Sequence, residues 1–206
     1  MSVSAVISTY HRNDLLVNRA LASVFRQTVK PTEIIVVHDG NDSAEIDALR
    51  SVLPGGVTLL SIPRQHYPED SGQRWCVLGL NARNRGLDYA SGDYIAPLDD
   101  DDEWTDDHIE VLQRAVELSG SDFAYGMSQY HWPDKRPQTA GSWPPGMGAF
   151  CDGAQLYRNG MGYRYDPDCI KRGLPEDGDL WTRMYEGGVK FTFTARIIHH
   201  YHPNPR

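Results

Sequence analysis

The chain has 206 residues, 40% of them hydrophobic and 23% charged, with a formal net charge of -8. That length suits one domain with a substantial core, and no apolar run approaches the ~18 residues of a membrane span. The acidic balance argues against general nucleic-acid binding, which needs a basic face.

In chain order, Val3 to Ser8 predicts a buried strand. No basic region precedes this apolar stretch, so it does not read as a signal peptide, and a cytoplasmic location is expected. Asn13 is placed to cap a helix in which Leu16, Ala20, Leu21, Val24 and Phe25 recur at helical spacing to about Gln27, before Pro31 breaks the chain. Glu33 to His38 is a second strand, followed by the turn signal Asp39-Gly40-Asn41-Asp42 and a helix over Ser43 to Leu53. Val57 to Ile62 is a third strand, Leu78 to Ala90 a helix, Tyr94 to Leu98 a fourth strand, and Asp106 to Ser119 an amphipathic helix. Cys76, Cys151 and Cys169 are widely spaced, with no Cys-x-x-Cys pair, and read as reduced thiols.

Strands separated by crossover helices imply an α/β fold with a mostly parallel sheet and ligands beyond the carboxyl ends of its strands. Three polar segments fall at such ends: Thr9 to Arg12, His38 to Gly40, and the four aspartates Asp99 to Asp102. Packed like charges repel, so such a cluster needs a cation or solvent. Its oxygen ligands suit Mg²⁺ or Mn²⁺, ions that keep positions open for substrate phosphates. The alternative is a solvated acidic turn leading into the helix near Asp106. No Gly-x-Gly-x-x-Gly or Walker loop is present, which leaves a metal as the expected phosphate clamp.

From Phe123 to Pro175 the chain is rich in Gly, Pro, Trp and Tyr, with weak periodicity, and reads as loops and short strands laid over the sheet. A helix over Asp179 to Glu186 and a strand over Lys190 to Ile198 precede His199-His200-Tyr201-His202. On a strand, alternate residues face opposite ways, so these histidines cannot all serve one ion.

Taken together, these segments resemble the inverting glycosyltransferases of family 2, which have the GT-A fold. Val6-Ile7-Ser8-Thr9-Tyr10-His11-Arg12 is similar to the family's opening strand and loop, and Ile34 to Asp42 to its second strand and base-receiving loop. Ala82 to Leu87, then Ala90 to Ile95, lead into Leu98-Asp99-Asp100-Asp101-Asp102-Glu103-Trp104 as the family's metal motif does. Glu176-Asp177-Gly178-Asp179-Leu180-Trp181-Thr182-Arg183 resembles its catalytic-base signature.

The resemblance implies a single GT-A domain, with residues 1–104 forming the nucleotide half and 105–206 the acceptor and base half. It implies a nucleotide-sugar donor, most readily a UDP-sugar, and a glycan, protein or small-molecule acceptor. Thr9, Arg12, Asp39, Arg83 and Asp99 would contact the donor nucleotide. Asp101 would be the direct ligand of Mn²⁺ or Mg²⁺, with His199 as a further ligand. Asp177 would be the general base, Asp179 its runner-up, and Glu176 and Trp181 acceptor or support residues. His38 stands where the family commonly has another acid. Two other readings remain open from the residues alone: a nucleotidyltransferase of related fold, whose lysine-rich first loop Ser8 to Arg12 does not resemble, and a noncatalytic sugar-nucleotide-binding protein, which would need no base.

Overall fold

The computed structural model describes residues 1–203. Strands β1 (Val3–Thr9), β2 (Glu33–Asp39), β3 (Val57–Ile62) and β4 (Tyr94–Asp99) lie in the order β3-β2-β1-β4, all parallel. β1, β2 and β4 are buried along nearly their whole length, which is why they read as continuous apolar runs rather than alternating ones. Thr9 pairs with His38, Asp39 with Ile62 and Ser8 with Asp99, so the four strands end at one level.

The connections are helical, with differences in detail from the sequence expectation. α1 (Asn13–Leu15) passes through a π-helical stretch, Leu16–Leu21, into α2 (Ala22–Arg26). Asn13 is the first helical residue and not the cap. Arg12 holds the capping position without a side-chain bond, because its guanidinium is turned toward the aspartates after β4. α3 (Ser43–Val52) starts conventionally, with Asp42 Oδ1 accepting from the amides of Ala44 and Glu45 at 3.0 and 3.1 Å. A short α4 (Ser71–Trp75) precedes α5 (Leu80–Tyr89). α5 begins two residues later than the periodicity suggests because Gly79, at φ 74°, is left-handed and cannot be its first turn.

Beyond β4 the sheet becomes mixed. The elements are β5 (Glu103–Trp104), α6 (His108–Ser119), β6 (Phe123–Tyr130), β7 (Gln138–Ala140), a 3₁₀ turn at Asp152–Ala154, β8 (Gln155–Arg158), α7 (Cys169–Arg172), α8 (Glu176–Glu186) and β9 (Phe191–Tyr201). The strand order continues β4-β8-β6-β9-β5, with β7 on β6. β6 and β9 pair parallel, while β4–β8, β6–β8, β6–β7 and β5–β9 are antiparallel. Aromatic residues of this half fill the core: Phe123 stacks on Phe191 at 4.2 Å, and Phe150 on Trp181 at 3.9 Å. Among the described residues, no helix is long and apolar enough to cross a membrane.

α5 lies against β1 at Gly86, where a Cβ would meet Val6 Cγ1 at 2.3 Å. Gly to Ala inside a helix gains about 1 kcal/mol from propensity, but a stiff β-branched neighbour cannot yield to the added methyl. Overpacking is expected to win. Gly86→Ala should lower unfolding stability by about 1–3 kcal/mol, read as a lower denaturant midpoint at unchanged m, and a second change, Val6→Ala, should recover part of the loss.

Candidate active site

The carboxyl ends of β1, β2, β3 and β4 bring their following residues around one cleft of about 270 Å³. Asp39, at the end of β2, is buried, and its carboxylate accepts from the Gln65 amide at 2.9 Å, from Tyr67 Oη and from Arg64. That carboxylate and burial push the Tyr67 hydroxyl up to about 12. Thr9 donates its hydroxyl to Asp100 at 2.8 Å, so Asp100 is tied back to β1. Arg12 Nη1 reaches Asp100 at 3.0 Å and Asp101 at 2.7 Å.

Asp99, Asp101 and Asp102 each present one oxygen, and the three lie within 4.8 Å of one another. Burial and then repulsion from Asp99, Asp102 and Asp100 push Asp101 up to about 7, against the pull of Arg12. Crowded hard oxygens whose charges are incompletely balanced fit Mg²⁺ or Mn²⁺. His199 is fully buried, with Nδ1 3.0 Å from Ser128 Oγ and Nε2 3.2 Å from Asp102 Oδ2. It stands behind Asp102, outside the converging carboxylate set. Burial would favour the neutral ring, but Asp102 and Cys151 outweigh it and raise His199 to about 10. His200 and His202 turn elsewhere, to His131 and Glu103.

Arg83, from the first turn of α5, joins the two sides of the cleft. Its Nη2 donates to Asp99 at 2.6 Å, its Nη1 to Glu176 at 2.6 Å and to the Leu78 carbonyl at 2.6 Å, and its Nε lies 3.3 Å from Asp152. Gly79 is what lets the backbone come this close: a Cβ there would sit 3.3 Å from Ser8 Oγ and 3.4 Å from Arg83 Nη1. Burial opposes the charge on Arg83, yet Asp99, Glu176 and Asp152 hold it firmly protonated. Burial also pushes Glu176 well above the usual carboxylate range and Asp152 up to about 7. One cation cannot neutralise three buried anions, so the cluster retains a proton near neutrality.

Beyond Arg83 a second cavity, of about 340 Å³, shares Leu78, Arg83, Asp99 and Tyr201 with the first. Asp177 lines it from the first turn of α8, with Oδ1 accepting from the Gly178 amide at 2.6 Å. Burial raises the Asp177 pKa above its ordinary range. The position of α8 is fixed by the Glu176 amide donating to the Cys76 carbonyl at 2.9 Å. Asp179, two residues on, is buried and ion-paired with both Arg172 and Arg183, the latter at 2.7 Å. The helix begins at Glu176 rather than Asp179, because Pro175 takes the capping position and residues 176–178 complete its first turn. Trp181 is buried against Phe150 and forms part of the same wall.

Residues 78–171 match the family model described as Glycosyl transferase family 2. That match covers just under half of the chain, which is thus similar to glycosyltransferase family 2 over this stretch. Among relatives, it is 38% identical over 120 residues to the uncharacterized glycosyltransferase YwdF of Bacillus subtilis, covering 58% of this chain and 40% of that protein. It is 36% identical over 111 residues to the putative colanic acid biosynthesis glycosyl transferase WcaA of Escherichia coli, covering 53% and 36%. The chain therefore spans about two-fifths or less of those relatives' lengths. Its fold matches the crystal structure of S. aureus TarS 1–349 in complex with UDP, at TM-score 0.70 and 15% identity, over 100% of this chain and 61% of that one. The α/β sheet is of the GT-A nucleotide-sugar transferase type.

The fold gathers Thr9, Arg12, Asp39, Arg83, Asp99 and Asp101 at one cleft, with Glu176 and Asp177 across Arg83 from them. It adds residues the sequence reading passed over. Asp152 sits in the irregular, aromatic-rich half, where no spacing signal marks it. Arg64 and Tyr67 lie in the loop after β3, where their partner Asp39 is more than twenty residues away.

Arg83→Met removes the cation and leaves three carboxylates in place. Breaking a buried ion cluster this way is expected to cost about 3–5 kcal/mol at pH 7.5. The folded pKa values of Asp152 and Glu176, already raised, then rise further above the unfolded ones, so the penalty is largest at high pH and shrinks as pH falls and protons replace the guanidinium. Denaturant unfolding at pH 7.5 and 5.5 checks this: the wild-type-to-variant gap should narrow at the lower pH.

Proposed function

We propose that this chain transfers a sugar from a nucleotide-diphosphate donor, preferentially a uridine one, to an acceptor hydroxyl with inversion, using Asp177 as general base. The reading rests above all on one arrangement: a carboxylate trio suited to a divalent cation and a carboxylate of raised pKa line adjoining cavities that meet at Arg83. The nucleotide end, over residues 1–104, offers Thr9, Arg12, Asp39, Arg83 and Asp99. Two S. aureus TarS structures of similar fold are complexes with UDP and with UDP-GlcNAc, which supports a UDP-sugar donor.

Asp101, with Asp99 and Asp102, would hold Mg²⁺ or Mn²⁺, and such an ion supplies charge stabilisation for a leaving diphosphate. His199 orients Asp102 from behind. Asp177 takes the proton of the attacking hydroxyl, and displacement from the opposite face inverts the anomeric carbon without a covalent sugar intermediate. Its raised pKa suits a base working near neutrality. Glu176 holds the base segment to Arg83, and Asp179 fixes α8 through its two arginines. The acceptor cavity is walled by Trp75, Trp132 and Met147, all exposed, beside Asp152 and Asp177. Apolar faces beside carboxylates match a sugar ring, so the acceptor is taken to be a glycan. The similarity to a putative colanic acid biosynthesis glycosyl transferase supports the same class.

Asp177→Asn should lower turnover by about 10²–10⁴ while leaving nucleotide affinity within twofold, checked by a UDP-release assay beside calorimetry. The wild-type rate should fall on acidification at a higher pH than an ordinary carboxylate would give. Asp101→Ala should abolish the Mn²⁺-dependent part of UDP binding, again by calorimetry. Retained transfer by Asp177→Asn would move the base elsewhere, and release of pyrophosphate in place of UDP would identify a nucleotidyltransferase.

A further inference from the structure

At the nucleotide end of the cleft, one subsite is already filled by the chain itself. Arg64, two residues past the end of β3, lays its guanidinium carbon 3.4 Å from the ring centroid of Tyr10 and 4.8 Å from that of Tyr67. Its Nη1 donates to the carboxylate of Asp39 and, at 3.2 Å, to the Asp39 carbonyl. A flat cation in van der Waals contact with an aromatic face, giving in-plane N–H groups to a buried carboxylate, satisfies what a nucleobase would satisfy there: a stacking face and a ring N–H donor. The face of Tyr10 that Arg64 covers cannot also carry a base. Asp39, buried to 2%, cannot face an incoming base edge while Arg64 lies across it.

We infer that Arg64 gates the base subsite: its guanidinium stands where the nucleobase goes, and donor binding exchanges one planar hydrogen-bond donor for another on Asp39. This rests on the reading of the cleft as a nucleotide site. The exchange leaves the seat intact, because the Gln65 amide and the Tyr67 hydroxyl keep Asp39 in place after Arg64 withdraws. Arg64 has somewhere to go. Its side chain is 40% exposed and also borders an open recess lined by Asn81, Arg85 and Asp88, where the Asp88 carboxylate and solvent can receive a guanidinium. Apparent affinity is then reduced by the fraction of molecules whose seat is open, so removing the gate tightens binding without adding a contact.

The test is calorimetric titration of wild type, Arg64→Ala and Arg64→Lys with UDP and with inorganic pyrophosphate, each with Mn²⁺. Lysine keeps the charge but loses the planar stack, and it is the decisive variant if alanine fails to fold. UDP should bind about 5- to 50-fold tighter to Arg64→Ala, with Arg64→Lys between it and wild type. Pyrophosphate, which has no base, should bind all three within about twofold. Equal or weaker UDP binding by both variants, with wild type still binding UDP, would overturn the gate and leave the nucleotide site standing. Failure of the wild type to bind either UDP or pyrophosphate would remove the nucleotide reading itself, and the gate with it.

Discussion

The cleft is organised by a single buried guanidinium. Arg83 binds Asp99 from the end of β4, Asp152 from the turn before β8, and Glu176 from the start of α8, three segments that no backbone ladder brings together at this point. A buried charge is expensive unless paired, and three carboxylates so close are equally expensive without a cation. Each side therefore requires the other. The mutual requirement sets the distance between the aspartates after β4 and the first turn of α8, and so between the candidate metal ligands and Asp177.

The same cluster fixes the sign of the cleft's field. Around Arg83 and Arg12 stand Asp99, Asp100, Asp101, Asp102, Asp152, Glu176 and Asp177, an excess of acid over base. A bare diphosphate would meet repulsion in such a field. In the proposed reading, a divalent cation on the aspartates would offset that repulsion and so couple donor binding to metal. On the other side, burial and the nearby Asp99 raise the Asp177 pKa above its ordinary range, which makes it a stronger base in the proposed role.

Legibility in the sequence followed the range of the interactions. β1, β2 and β4 announce themselves through largely apolar runs, since burial on both faces removes polar alternation, and their ends located Thr9, Asp39 and Asp99 to within a residue. The helix ends were less legible: Gly79 delays α5 through its left-handed backbone, and Arg12 gives up capping to reach Asp100 and Asp101. In the second half short strands alternate with the long β6 and β9, and their pairing depends on partners far along the chain. Ser128 meets His199 across 71 residues, so Phe123 to Pro175 showed composition without order. Asp152, Arg64 and Tyr67 were silent for the same reason: each gains its meaning from a partner that only folding supplies. The four aspartates marked the place of the cation site but not the division of labour within it, which assigns Asp100 to Thr9 and Arg12 and leaves Asp99, Asp101 and Asp102 to converge.

The central claim is that the two cavities meeting at Arg83 form one transfer site for a metal-bound nucleotide. A crystal structure with UDP and Mn²⁺, in which the metal is located by its anomalous scattering, tests it most directly. The manganese peak should fall among Asp99, Asp101 and Asp102, with the diphosphate beside it and the uracil against Asp39. A peak away from those carboxylates, or a nucleotide seated outside this cleft, would contradict it.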